Sequence, residues 1–247
     1  MSIAMTEKDF FAEITSVFKK NSLSSLLSKE KAEKFYMLTE RLITENEKYN
    51  LTAITEPKRI ILQHYADCAT LTSLLPKGAK ICDVGCGAGF PSLVLAILRD
   101  DLKILAMDAT GKRVDYVRES AALLSLDGVS TLCARAEDVG KDPTMRESFD
   151  FVTARAVAQM RVLAELCLPL LKVGGKMIAM KGKNAQYELA DAKKALSILG
   201  AKENKVIDIV LKNDEEEVSH PLILLDKVTK TPAAYPRPYA QISKKPL

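Results

Sequence analysis

Histidine occurs only twice in this chain, as His64 and His220, and the five cysteines at 68, 82, 86, 133 and 167 form no Cys-x-x-Cys pair. A structural zinc centre needs closely spaced thiolate and imidazole ligands, so no metal is expected. Long apolar runs are missing too. Lys, Arg, Asp or Glu interrupts every hydrophobic stretch before it reaches the roughly 18 to 20 residues of a membrane span. The opening segment carries Glu7, Lys8 and Asp9 where a secretory signal has an unbroken apolar centre, which makes a cytoplasmic protein with reduced cysteines the expectation. Cys82 and Cys133 fall in apolar strand-like runs and read as small core hydrophobes. There is no internal repeat and no signal of an interface, so a monomer is expected, with no membrane contact.

What remains is a globular composition: 47% hydrophobic and 28% charged residues in 247, enough for one full α/β domain plus an attachment. A net charge of +4 permits a polyanionic partner without demanding one. Its placement is more informative. Lys172, Lys176, Lys181 and Lys183 lie in a stretch without an acid, and Lys230, Arg237, Lys244 and Lys245 in another that runs to the end. Such runs are usually solvated faces, but two of them make phosphate contact reasonable.

The pattern changes near residue 77. Before it, apolar residues recur at helical spacing over 6–20 (Phe10, Phe11, Ile14, Val17, Phe18) and 28–48 (Ala32, Phe35, Leu38, Leu42, Ile43), and a third helix is expected from Pro57 to about residue 75. This gives an N-terminal helical extension, 1–76. From 77 to 247, β-rich runs at 80–84, 103–108, 129–134, 150–154, 176–180, 205–211 and 222–228 alternate with helices at 90–98, 111–124, 159–171 and 185–199. The connection at 212–221 is too short and polar for a crossover helix, so the last strand is expected to run antiparallel. Five α/β units closed by an antiparallel hairpin resemble the seven-stranded, Rossmann-like class I methyltransferase sheet.

Asp83-Val84-Gly85-Cys86-Gly87-Ala88-Gly89 follows an apolar strand and opens a helix, where glycines let the backbone turn and approach a ligand. Alone this is a weak signal. Asp108, at the end of the next strand about 25 residues on, adds a carboxylate where ribose hydroxyls would be accepted. A dinucleotide fingerprint requires G-x-G-x-x-G, whereas this loop reads G-x-G-x-G followed by Phe90-Pro91, so S-adenosylmethionine is favoured over a nicotinamide cofactor. It has no pyrophosphate and needs acceptors for an ammonium group and a ribose, which Asp83 and Asp108 offer directly or through water. Ala136-Glu137-Asp138 leaves the third strand where an adenine can be held, although acids also gather there because of the helix dipole.

Other segments bring a family into view: Tyr49-Asn50-Leu51-Thr52, His64-Tyr65-Ala66-Asp67-Cys68, Lys112-Arg113, Arg135-Ala136-Glu137, Ala154-Arg155-Ala156, Gly174-Gly175, Met180-Lys181-Gly182, Tyr235-Pro236-Arg237 and the ending Ser243-Lys244-Lys245-Pro246-Leu247. With the glycine loop they run from about residue 49 to the end and resemble the bacterial glucose-inhibited division protein B family, the small-subunit ribosomal RNA guanine-N7 methyltransferases. The Ala-Arg-Ala segment and the Ser-Lys-Lys-Pro-Leu ending are the particular ones; the glycines are shared by many methyltransferases. The resemblance implies cofactor contacts from Gly85, Phe90, the stretch Asp108, Ala109, Thr110, and from Ala136, Glu137 and Arg155, and the loop residues Asp83, Gly87 and Gly89 are expected to bind the cofactor with them. It departs at Cys86, Cys68, Ser92 and the 109–111 loop, where the family usually has other residues.

The implied reaction is methyl transfer to N7 of a guanine in 16S ribosomal RNA, within the 30S subunit or an assembly intermediate. N7 already presents a lone pair, so no general acid or base is nominated, and positioning carries the rate. Acceptors on that guanine edge call for cations, with Arg155 and Lys181 placed at the carboxyl ends of the fourth and fifth strands, while His64 is expected to be structural. Lys112, Arg113, Arg155, Lys181, Lys183, Arg237, Lys244 and Lys245 are the expected RNA contacts. A methyltransferase acting on a small molecule or a protein, and a non-catalytic RNA-binding assembly factor, remain the alternatives.

Overall fold

The computed structural model describes residues 5–247; the first four residues of the expected extension 1–76 lie outside the described residues. Helix α1 (Glu7–Lys20) begins where Thr6 Oγ1 accepts the Asp9 amide at 3.2 Å, and α2 (Lys29–Tyr49) where Ser28 Oγ accepts the Lys31 amide at 3.2 Å. Each cap satisfies an amide that the helix leaves unpaired. Asn50, at a left-handed φ of 49°, ends α2.

The helix expected at 57–75 is a continuous helical path of changing pitch: α3 (Pro57–Ile60), a π-helical turn at Ile61–Ala66, α4 (Asp67–Ala69), then a 3-10 turn at Thr70–Leu74. π-turns insert one extra residue per turn and are frequent at functional sites. This one carries Gln63 and His64.

Seven strands follow with their helices in chain order: β1 (Lys80–Val84), α5 (Ser92–Leu98), β2 (Lys103–Asp108), α6 (Gly111–Leu123), β3 (Val129–Cys133), α7 (Ala136–Val139), β4 (Phe149–Arg155), α8 (Met160–Cys167), β5 (Leu171–Met180), α9 (Ala185–Asp191), α10 (Lys193–Leu199), β6 (Ala201–Lys212) and β7 (Glu217–Lys227). A short helix α11 (Tyr239–Lys244), which the sequence pattern did not reveal, closes the chain. The sheet order is β3-β2-β1-β4-β5-β7-β6, with β7 antiparallel to both neighbours. Strands β6 and β7 extend into the expected 212–221 loop and leave a four-residue turn, where the Asn213 side chain accepts the amides of Glu215 and Glu216 at 2.9 and 2.8 Å. The acidic turn then meets α1 and α3 through Lys20–Asp214 and Lys58–Glu215 pairs.

Strand alternation sorts the core onto two faces. Ile81, Ile104, Ala106, Phe151 and Ile178 point to one side, where Phe10, Phe18, Phe35 and Leu38 of α1 and α2 join the same cluster together with α5 and α6. Cys82, Val84, Met107, Val152 and Met177 point to the other, against α8, α9 and α10. Phe10, Phe18 and Phe35 are fully buried, each contributing about 1.5–3 kcal/mol of apolar transfer energy. These aromatic rings anchor the N-terminal helices to the sheet.

Beyond β7 the chain is strapped across the α8 side by buried charges. Lys227 Nζ reaches the carbonyls of Leu168 and Leu199 at 2.8 and 3.2 Å and the Thr231 hydroxyl. Arg146 donates to the carbonyls of Gly140, Tyr235 and Thr231 at 2.7, 2.8 and 2.7 Å. Arg237 closes as a fork on Glu165 at 2.8 and 2.6 Å, and its amide adds a third bond at 2.9 Å. Arg161 holds the last two carbonyls, of Pro246 and Leu247, at 2.8 and 2.5 Å.

Glu165 is fully buried, so removing its guanidinium partner leaves a desolvated charge. Arg237→Ala is expected to lose about 3–5 kcal/mol of stability in urea unfolding, with Arg237→Lys recovering only part of it because one ammonium cannot match the fork. A loss below about 1 kcal/mol would show that the strap does not depend on this pair.

Candidate functional site

The chain turns from β1 into α5 by bending the glycine loop back over β2. The amides of Gly85 and Cys86 both donate to the Met107 carbonyl, at 2.8 and 2.9 Å, and Gly85 takes a φ of 73°. A Cβ at Gly85 would stand 2.7 Å from Val157 Cγ2, and one at Gly89, whose φ is 84°, would stand 2.5 Å from Leu93 Cδ1. Only glycine satisfies both demands, conformation and space.

Asp83 is 1% exposed and points away from the loop's open side. One carboxylate oxygen accepts the Ser92 hydroxyl and the other the Thr153 hydroxyl at 3.0 Å. Each Asp83 oxygen thus already accepts one hydroxyl, from α5 and from β4, and keeps one further lone-pair site beneath the loop. Ser92 supplies the first of these hydroxyls. Burial pushes the Asp83 carboxyl up to about 6, against the lowering effect of those two hydroxyl bonds.

Beside the loop lies a pocket of about 290 Å³, lined by Gly85, the Asp108, Ala109, Thr110 turn, Arg113, the Arg135, Ala136, Glu137 turn, Ala156, Val157 and Tyr239. Six of the residues expected to hold a cofactor meet here. Asp108 is 6% exposed. It accepts the Thr110 amide at 2.9 Å and the Gly87 amide at 3.2 Å, with Arg113 Nη1 at 3.6 Å. Each carboxylate oxygen keeps a further lone-pair site. Glu137 is 9% exposed at the start of α7.

Gly87, Gly89, Phe90 and Arg155 are not on that wall. Phe90 stacks on His64 with ring centroids 4.4 Å apart. Burial and the neighbouring Arg155 cation push the His64 imidazole down to about 3, so the ring is neutral. Arginine has no acceptor, so His64 Nδ1 takes the Arg155 Nη2 hydrogen at 2.7 Å, and the remaining Nε2–H faces Thr52 Oγ1 at 3.1 Å. His64 is structural.

Arg155 also donates to the Gln63 carbonyl at 3.0 Å and stands 3.3 Å from Asp67. It borders a second pocket, of about 320 Å³, with Gln63, Asp67, Met180, Lys181 and His220. The two pockets share one residue, Ala156, whose φ of 54° is the strained left-handed conformation. Nothing in the sequence announces Tyr239, Asp67, Gln63 or His220 at these walls, because each arrives from a distant element.

The expected RNA contacts divide in two. Lys112, Lys183, Lys244 and Lys245 are exposed, with Lys112 Nζ 5.7 Å from the Tyr49 ring. Arg113, Arg155, Lys181 and Arg237 are paired internally: Lys181 meets Glu188 at 2.6 Å and the Ala158 carbonyl at 2.7 Å, and Arg237 is the clamp on Glu165. Nε and Nη2 of Arg237 are thus already taken by Glu165, so the side chain reads first as a clamp within the fold. Among the described residues no group of three or more His, Cys, Asp or Glu side chains is placed to hold a metal ion, and no helix is long and apolar enough to cross a membrane.

A ligand crevice beside β1, where the strand order reverses toward β4, with a glycine turn on one side and a carboxylate ending β2 on the other, defines a class I methyltransferase fold. The same fold is found in a SAM-dependent O-methyltransferase from Thermotoga maritima (TM-score 0.50, 18% identity, 76% of this chain and 72% of that one). It recurs in M. jannaschii TYW2, solved in complex with AdoMet (TM-score 0.52, 16% identity, 66% and 75%). Within that class the chain belongs to the rRNA small subunit methyltransferase G family, whose model matches residues 30–218. It is 46% identical over 222 residues to the ribosomal RNA small subunit methyltransferase G of Desulfitobacterium hafniense, covering 90% of this chain and 91% of that one. It is 41% identical to the protein of the same name from Leuconostoc mesenteroides, over 98% and 100% of the two chains.

Because the folded chain holds the Asp83 proton more tightly than the unfolded chain, this group favours folding below pH 3.8, and the advantage is lost as pH rises through about 6. Asp83→Asn cannot titrate. Its stability relative to the parent is expected to improve by up to about 3 kcal/mol between pH 4 and pH 7, measured by urea unfolding at each pH. A pH-independent difference would mean that the carboxyl is not shielded as described.

Proposed function

We propose that this chain is a cytoplasmic monomer that uses S-adenosylmethionine to methylate N7 of one guanine in 16S ribosomal RNA, presented by the 30S subunit or an assembly intermediate. The observation that carries this reading is the pair of adjoining pockets, one on each side of the strand reversal and in contact through Ala156. One accepts a nucleoside-like cofactor and the other is large enough for a purine.

The donors and acceptors of the first pocket fit that cofactor. Asp108 offers free lone pairs to ribose hydroxyls, the Ala136 amide and Glu137 face the adenine side, and the bare Gly85 backbone admits the amino-acid portion. The pocket of about 290 Å³ is at the lower end of the ~300–1,000 Å³ range for small-ligand sites. When bound, S-adenosylmethionine supplies an electrophilic methyl group on a sulfonium. The protein's part is then to aim a base at it. Guanine N7 needs no deprotonation, so the Asp67–His220 contact of 2.7 Å in the second pocket is not called on as a base, and the residues act by orientation. Lys181 and Arg155 line the second pocket and are its cations for O6, each already paired with a carboxylate. A base reaches it only when splayed from its stack, which places the target in a loop or single strand.

Exposed Lys112, Lys183, Lys244 and Lys245 are the phosphate contacts this reading retains. Four such contacts predict that log Kd for the RNA substrate changes with log salt at a slope of about 3; a flat response in filter binding from 50 to 200 mM salt would remove the electrostatic part of the proposal. The deciding assay transfers labelled methyl groups to small subunits from a strain lacking this gene and from its parent. Label confined to the deficient subunits and mapping to one N7-methylguanine supports the function. Label in neither, with the cofactor still bound, leaves the fold assignment standing and removes the substrate.

A further inference from the structure

The strap after β7 brings one half-open aromatic side chain to the first pocket. Tyr239, the first residue of α11, is 42% exposed, lines the pocket of Asp108 and Glu137, and has the Arg135 guanidinium 5.7 Å from its ring centroid. Its chain position is fixed from two residues away by the Arg237–Glu165 fork and from behind by Arg161 on the last two carbonyls. Three charged side chains, Arg237, Glu165 and Arg161, together with the buried Ile242, thus hold the segment that carries this ring to the pocket mouth.

We propose that this ring is the aromatic wall of the cofactor site at its adenine end, so that the C-terminal strap is part of the binding site. The inference rests on the cofactor reading given above. Its direction comes from the sheet. The order β3-β2-β1-β4 sets Ala156, at the junction with the second pocket, on the β4 side, and Arg135 and Ala136 on the β3 side. A methyl group delivered to the second pocket must lie near Ala156. The nucleoside end of the same molecule then extends across β2 to β3, past Asp108, and ends beside Arg135 and Tyr239. A purine presents flat π faces there, and tyrosine supplies a large rigid surface at little cost in conformational entropy. An RNA base is the competing occupant, since aromatic rings also hold splayed bases. The shared lining with Asp108, Thr110 and Glu137 favours the cofactor.

Calorimetric titration of the full chain with S-adenosylhomocysteine, and with adenosine alone as a probe of the adenine end, separates these outcomes. Tyr239→Ala is expected to weaken both ligands about five- to thirtyfold, Tyr239→Phe to restore most of that affinity, and the thermal midpoint to stay within about 1 °C because the ring is exposed. The proposal is overturned if Tyr239→Ala binds both ligands within twofold of the parent. If, in addition, its affinity for unmethylated 30S subunits falls, the ring meets RNA instead. Parent protein that binds neither ligand overturns the cofactor reading itself, which is distinguishable from a failure of the strap alone.

Discussion

One buried carboxylate sets the geometry on which the pocket depends. Asp83, the last residue but one of β1, has its oxygens held by Ser92, the first residue of α5, and Thr153 of β4. An isolated carboxylate in such a place would carry a desolvation cost of several kcal/mol, and the two hydroxyls offset part of it. The bonds also join β1, α5 and β4 at one point. Between those fixed ends the seven-residue loop has little freedom, and its amides on Met107 tie it to β2 as well. The open face of the loop is therefore built by a residue that never reaches it.

The second constraint is the strand order. Parallel strands feed right-handed crossovers to opposite faces once the order reverses, which opens a crevice at their carboxyl ends that no side chain fills. Here the N-terminal helices and the β6–β7 hairpin build up one side of that crevice and the C-terminal strap the other. The acidic turn of the hairpin holds α1 and α3 by charge pairs, and the π-helical turn of the third helical segment brings Gln63, His64 and, just beyond it, Asp67 to the second pocket. Elements outside the sheet thereby decide what can stand opposite the cofactor pocket, which is where one methyltransferase differs from another.

Much of this was legible in the sequence. Periodicity of 3.6 in α1 and α2, the seven β-rich runs and the polar hairpin turn are properties of neighbouring residues, and so are readable along the chain. The pocket-lining turns at 108–110 and 135–137 were readable for the same reason: they follow strands directly. Charged side chains were not. Arg237, Lys181 and Arg155 stand in basic, motif-like contexts, yet Glu165, Glu188 and Asp67 that occupy them lie between 7 and 88 residues away in sequence. A charge's partner is a tertiary fact. Tyr239 was hidden because a proline-rich tail gives no periodicity to read, and α11 is only six residues long.

The same pairing changes how the basic tail is understood. Four cations hold it by reaching backbone carbonyls or a buried acid: Arg146, Arg161, Lys227 and Arg237. Burial pushes the Lys227 ammonium down to about 8, against the attraction of Glu147, so even this cation is held at the edge of its charged range by what surrounds it. Net charge therefore overstates what a polyanion meets. Among the eight cations expected to meet RNA, the lysines left exposed are Lys112, Lys183, Lys244 and Lys245. Because Lys244 and Lys245 ride on the same strap as Tyr239, the segment that finishes the cofactor pocket in this reading also carries charge for the RNA. Loss of order in the strap would then weaken both ligands together, whereas a substitution confined to the Tyr239 ring separates them.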